Sequence, residues 1–170
     1  MATSDQLPVL QVTDLTQMQI EMVRRWHVEP IDHAFVGLKG LVCDQHAINF
    51  RLWHEEDKAR NPTATDSEIA TVKRTIDGLN QQRHQQIEKV DDAISEAIAA
   101  AGVDAPADAP INTETAGSVI DRLSILSLRL FHYGEQCQRS DTEEEHRVKV
   151  SQRLAVCETQ LVDLSLSLQQ

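Results

Sequence analysis

The sequence predicts an all-α protein, an antiparallel bundle of four long helices preceded by a shorter N-terminal one. Composition is the first observation: six Gly, five Pro and 4% aromatic residues, against plentiful Leu, Ile, Ala, Glu and Gln, suit helices better than sheets. The second is periodicity, because apolar residues recur every three or four positions over long stretches. The third is punctuation, since Pro30, Asn61 with Pro62, and the Gly, Pro, Asp and Asn of residues 102–117 fall where one periodic stretch gives way to the next. A chain of 170 residues suits one domain, residues 1–170, because two halves would each bury too little apolar surface.

Each element follows in order. After a loose N-terminus, residues 1–12, the stretch "TDLTQMQIEMVRRWH" offers Thr13 or Asp14 as an N-cap and carries Leu15, Met18, Met22 and Trp26 at helical spacing. Beyond Pro30 a second helix places Leu38, Leu41, Ile48 and Leu52 on its inner side and stops at Asn61 and Pro62. Thr65 and Glu68 stand at capping-box spacing, which opens a third helix running to about Ala101. Its Ile69, Val72, Ile76, Leu79, Ile87, Val90, Ile94 and Ile98 keep a rhythm that needs a long partner. Residues 102–117 have the Gly, Pro, Asp and Asn content of a long surface loop. Val119 to Tyr133 is apolar on most sides, so the fourth helix is expected at the centre, entered through Thr115 or Ser118 as cap. Ser140 and Glu143 repeat the capping-box spacing before a fifth helix, whose Val150, Leu154, Cys157, Leu161, Leu164 and Leu168 make a narrow docking stripe.

Charge narrows the function classes. A net charge of -11 opposes nucleic acid and anionic membrane surfaces, which are bound through Lys and Arg. The start "MATSDQLPVLQVTD" has no leader pattern and no window approaches a membrane span, so a cytoplasmic protein is expected. Cys43, Cys137 and Cys157 form no Cys-x-x-Cys pair and read as free, buried thiols.

The polar residues within the helices are the candidates for function. His46, Asn49, Trp53, Glu56 and Arg60 form one stripe on the second helix, and Lys73, Asp77, Asn80 and Arg83 another on the third. Folding the chain about the turn at 61–66 sets His46 near Asn80, Asn49 near Asp77 and Trp53 near Lys73. With Asp121, Arg122 and His132 of the fourth helix, these stripes could line a pocket for a small anionic ligand, with Lys73, Arg83 and Arg60 as its cations. They could equally form solvated faces or a polar seam that fixes register. Asp121 and Arg122 lie about 100° apart on a helix and so face different neighbours, and His132 sits about 16 Å beyond Asp121.

No metal is required by any motif. His46, His132, Glu135 and His146 are weak metal candidates, because only Glu143 with His146 has the Glu-x-x-His spacing of bundle di-metal sites. Pairing the "HEED" carboxylates with Glu88 and Asp91 on magnesium fails, because Glu56 would lie about 27 Å from Glu88 along the axis. No nucleophile elbow, catalytic triad, phosphate-binding glycine loop or cofactor motif is present, so no reaction class and no cofactor is named. A homo-oligomer or non-catalytic adaptor, docking through Leu164 and Leu168 or the first helix, is the alternative to ligand binding.

The segments "NFRLWHEEDKAR", "VKRTIDGLNQQR" and "NTETAGSVIDRLSILSLRL", with Trp26 and His27, resemble a family of bacterial proteins catalogued as a domain of unknown function. The likeness runs from about Trp26 to Leu168. The resemblance implies an uncharacterised helical protein, sometimes encoded near cell-envelope glycosyltransferases, and implies no chemistry. Where Pro is common in that family this chain has Ala116, which should loosen the entry to the fourth helix.

Overall fold

The computed structural model describes residues 11–104, 106–109 and 111–169. Five helices account for the fold: α1 Val12–Trp26, α2 Gly37–Ala59, α3 Asp66–Ala100, α4 Ala116–Gln138 and α5 Glu144–Leu168. No strand occurs among the described residues, and no helix among them is long and apolar enough to cross a membrane. The loose segment expected over residues 1–12 lies outside the described residues except for its last two.

Helix α4 occupies the centre, touching α1, α2, α3 and α5. Its composition explains the position. Leu123, Leu126 and Leu128 are buried together with Ser124 and Ser127, small enough to let neighbouring helices approach from other sides. The main core joins α4 to α1 and α2 through Leu15, Met18, Val23, Trp26, Val42, Phe50, Ile120 and Leu123, with Leu161, Leu164 and Leu168 of α5 packed against it. A smaller core of Ile48, Leu52, Ile76 and Leu79 closes the α2–α3 hairpin. That pairing, with Gln86 donating to the Leu41 carbonyl at 3.0 Å, matches the register obtained by folding about residues 61–66.

The helix ends show where local signals hold. Thr65 and Glu68 form a complete capping box: the Thr65 side chain accepts from Glu68 N, and the Glu68 carboxylate accepts from Thr65 N at 2.8 Å. Thr115 caps α4, its Oγ1 accepting from Ser118 N at 3.2 Å. The other end of α3 closes on Gly102 at φ 62°, with Val103 N reaching back to the Ile98 carbonyl at 3.4 Å.

Two starts differ from expectation. Helix α1 begins at Val12 with Gln11 as N-cap, so Thr13 and Asp14 lie inside its first turn. Helix α5 begins at Glu144 after an N-cap Glu143 that makes no side-chain cap bond, so the Ser140–Glu143 box does not form. Arg139 instead forks onto Asp141 at 2.9 and 2.8 Å, organising the turn ahead of the helix. Cys43 and Cys157 are buried and Cys137 is half-buried, all as free thiols; burial pushes the Cys43 thiol up to about 12.

Candidate functional site

A polar layer crosses the core where α1, α2 and α4 meet. Gln19, Gln45, His46, Asn49, Asp121 and Ser124 are all buried there, on helices whose other inner positions, Ser127 apart, are apolar. Asn49 Nδ2 donates to Asp121 Oδ1 and to Ser124 Oγ, each at 2.9 Å, and His46 Nδ1 lies 2.7 Å from Ser124 Oγ. Arg83 reaches in from α3, its Nε donating to Asp121 Oδ1 at 2.9 Å and Oδ2 at 3.1 Å while Nη2 also pairs with Oδ2. A buried carboxylate is costly unless paired and hydrogen-bonded, and this two-pronged guanidinium with the Asn49 amide satisfies it. Burial lowers the His46 pKa to about 4, with the Gln19 main chain opposing the shift in part.

Beside this layer, a cleft of about 470 Å³ opens between α2, α3, α4 and α5. Asn49 and Arg83 form its inner wall; Trp53, Glu56 and Asn80 line it from α2 and α3, and His132 from α4. The Trp53 indole stacks on the His132 ring, with centroids 4.7 Å apart and planes within 2°. Thus seven of the twelve residues expected around the pocket, Arg60 included, share one cleft, and His46 lies in the polar layer behind it. Asp121 lies behind it, buried and joined to it through Arg83 and Asn49.

The other three are elsewhere. Lys73 and Asp77 are exposed and line none of the cavities described. On a straight helix Arg83 sits about 80° around the axis from Lys73 and about 120° from Asp77, so the α3 stripe drifts away from α4 toward its N-terminal end. Arg122 points outward and donates to Glu114 of the long loop at 2.6 Å. Asp121 and Arg122 therefore divide as their angular offset requires, one into the core and one to the loop.

Two further cations lie outside the residues expected from the sequence, although they stand opposite each other across the short turn between α4 and α5. Arg129 of α4 and Arg153 of α5 rim the cleft with Arg60 and Arg83. Arg83 is committed to Asp121, and Arg60 to Asp57 at 3.0 Å and Glu56 at 3.6 Å. Neither Arg129 nor Arg153 has a carboxylate partner among the described residues. The signal lay in α4, where Ile125, Leu128, Arg129, His132, Tyr133 and Gln136 follow helical spacing on one face.

The weak metal candidates separate. His46 is spent on Ser124, which precedes His132 by eight residues or about 12 Å along α4, so His46 and His132 cannot share an ion. His146 is exposed in the first turn of α5. Glu135 stays beside His132, with Oε2 3.4 Å from Nδ1. His132 meets His27 of α1 and His54 of α2 instead, ring centroids 5.1 and 5.9 Å away.

A larger cavity of about 620 Å³ lies at the opposite end of the bundle, walled by Leu15, Leu38, Ile94, Val119, Leu164 and Leu168. Residues 112–114 of the long loop line it, and the charged pair in its wall, Arg122 with Glu114, is internally satisfied. Charge and ring nitrogens gather at the polar cleft. No curated protein and no solved structure matches the chain. The model of the DUF4254 family, described as a protein of unknown function, matches residues 39–170, and the chain belongs to that family.

Proposed function

We propose that the protein binds a small anionic ligand, of nucleotide or sugar-phosphate type, in the cleft between α2, α3, α4 and α5. One observation carries this reading: Arg129 and Arg153 converge on the cleft without carboxylate partners among the described residues, in a chain whose overall charge is -11. Two guanidiniums that converge from separate helices without neutralising carboxylates among the described residues repel each other, and an anion between them removes that repulsion while offering each a forked acceptor. The Trp53 face suits a flat ring or a sugar, Asn80 supplies neutral hydrogen bonding, and the volume falls in the range of small-ligand sites. The Arg83–Asp121–Asn49 network fixes the inner wall, so that the cleft is shaped before the ligand arrives. A sugar phosphate or sugar nucleotide of cell-envelope glycan metabolism fits these features.

Thermal shift and calorimetry with pyrophosphate, UDP, UDP-glucose and glucose 1-phosphate, in buffer containing EDTA, test the reading. At least one probe should bind saturably, more weakly at high salt. The Arg129→Ala and Arg153→Ala pair should weaken it tenfold or more. A flat panel, or equal binding by the double variant, would sink the reading.

A helical adaptor or homo-oligomer is the second reading. It is favoured by the outer face of α5, where Val148, Val156, Val162 and Leu166 are 46–56% exposed. Leu164 and Leu168 are packed against the core, and the apolar face of α1 is buried within the chain.

A further inference from the structure

We propose that His27, His54 and His132 form a binding site for one divalent transition-metal ion of the zinc class, where α1, α2 and α4 meet at the edge of the cleft. One ring nitrogen from each of the three residues lies within 4.8 Å of the other two. A tetrahedral zinc at 2.0–2.1 Å from each nitrogen sets them about 3.3 Å apart, a closure that rotation of the side chains can supply. Phe50 and Phe131 pack the His27 ring from two sides, at centroid distances of 4.9 and 4.2 Å, so the cluster has a dry and shaped wall.

The hydrogen bonding around the rings points the same way. His27 Nδ1 lies 2.6 Å from the Val23 carbonyl, and a carbonyl only accepts, so Nδ1 carries the proton. His27 Nε2 is thereby left as a buried lone pair, and it has no hydrogen-bond partner among the described residues. In His132 the Nδ1 edge faces the Glu135 carboxylate at 3.4 Å, and Nε2 is again buried without a partner among the described residues. A metal-bound histidine is normally oriented in this way, with its second nitrogen turned to a carbonyl or carboxylate and the first turned to the ion. Simple aromatic packing accounts for the stacked rings but leaves two buried acceptors unsatisfied, which is costly and uncommon.

The donor set selects the ion. Three imidazoles suit zinc, copper or nickel and give magnesium or calcium no oxygen. Three protein ligands also leave a fourth position for water or an oxygen of a bound molecule, as in reactive rather than structural zinc sites. Burial and the neighbouring imidazoles lower the pKa of His54 and of His132, which keeps both unprotonated for coordination near neutral pH. Because His132 also lines the cleft, the bound ion would lie beside its ligand volume and add positive charge there. The site stands whether or not the cleft takes an anion.

The test uses the full chain stripped with chelator and titrated with zinc against a chromophoric competitor, and separately with cobalt. One equivalent should bind, with the visible absorption of four-coordinate cobalt. Fluorescence of Trp53 should change in step, because its indole stacks on His132. His54→Ala and His132→Ala should each weaken zinc at least 100-fold, and Glu135→Gln about tenfold. His84→Ala and His146→Ala, both at exposed positions, should leave affinity unchanged. Circular dichroism of each variant checks folding, and His54→Gln serves where His54→Ala fails to fold. Absence of stoichiometric binding overturns the proposal, as does equal loss in the His84 and His146 variants or retained affinity in folded His54 and His132 variants.

Discussion

His46 ties residue chemistry to stability. Its ring is fully buried, and burial takes its pKa from 6.5 to about 4. Between those values the unfolded chain binds a proton that the folded chain refuses. The stabilisation is therefore complete above about pH 6.5 and is lost as the pH falls through about 4. The total is on the order of 3 kcal/mol, since one pKa unit is worth about 1.4 kcal/mol. His54 and His132 shift in the same direction and, being only partly buried, add less. Urea unfolding at pH 7.5, 6 and 4.5 should show stability falling with acid, and falling distinctly less in a folded His46→Gln variant. An unchanged slope in that variant would remove His46 as the cause. At this scale the sequence was partly legible. Asn49 stood out within the polar stripe of the second helix and Asp121 on an otherwise apolar fourth helix, and the structure bonds them to each other. His27 and His54 did not stand out, because three ring nitrogens on three helices are brought together by helix crossing, which spacing along one helix does not encode. Lys73 and Asp77 were drawn into the stripe because periodicity finds a face of a helix without saying where along the axis that face leaves its neighbour.

Helix α4 begins against α3 so closely that adjacent residues should respond oppositely to substitution. Gly117 N donates to Asp91 Oδ1 at 2.6 Å, and a Cβ on Gly117 would meet that oxygen and the Ile87 carbonyl, both at 2.8 Å. Because the Ile87 carbonyl is backbone, α3 and α4 must separate to admit a methyl group. Gly117→Ala is expected to cost about 1–3 kcal/mol, the range for overpacking a filled interface. It should also disturb the Asp121 layer one turn further along. Ala116 is the first helical residue after the Thr115 cap, where no intrahelical bond is required of its N–H. Thr115 already holds φ -78° and ψ 160°, the region preferred before proline. Ala116→Pro should therefore stabilise by about 0.4–1 kcal/mol through the unfolded state. Thermal melts of the two variants should move in opposite directions. Movement in the same direction would mean that the entrance to α4 is not set by this contact. The strong element signals were of this local kind: Thr65 and Thr115 cap their helices because the bonds close within one turn. The same spacing at Ser140 and Glu143 misplaced the start of α5 by several residues, because Arg139 and Asp141 organise that turn instead.

Across the whole molecule, helix number, order and the central place of α4 could be read from where apolar residues recur and on how many sides. The cleft could be read only in part: the short turn between Gln138 and Glu144 sets Arg129 opposite Arg153, a register that the polar stripes of α2 and α3 did not draw on. Uneven burial has a dynamic consequence. Eight residues of α4 are buried, against only Val150 and Cys157 in α5, although α5 is slightly longer. Helix α5 leans on α4 and makes only slight contact with α1, while its outer face carries exposed valines. An element with so little buried apolar surface should open separately from the rest. In native-state hydrogen exchange, α5 amides should exchange through openings less costly than those of α4, and Val150→Ala should widen that gap while leaving α2 and α4 nearly unchanged. Equal protection in α4 and α5 would show one cooperative unit and overturn the expectation. Protection that rises with protein concentration in α5 alone would instead mark its outer face as a contact between copies. Because Arg153 is carried on this helix, an anion bridging it to Arg129 should also slow α5 exchange, linking the least stable element to occupancy of the cleft.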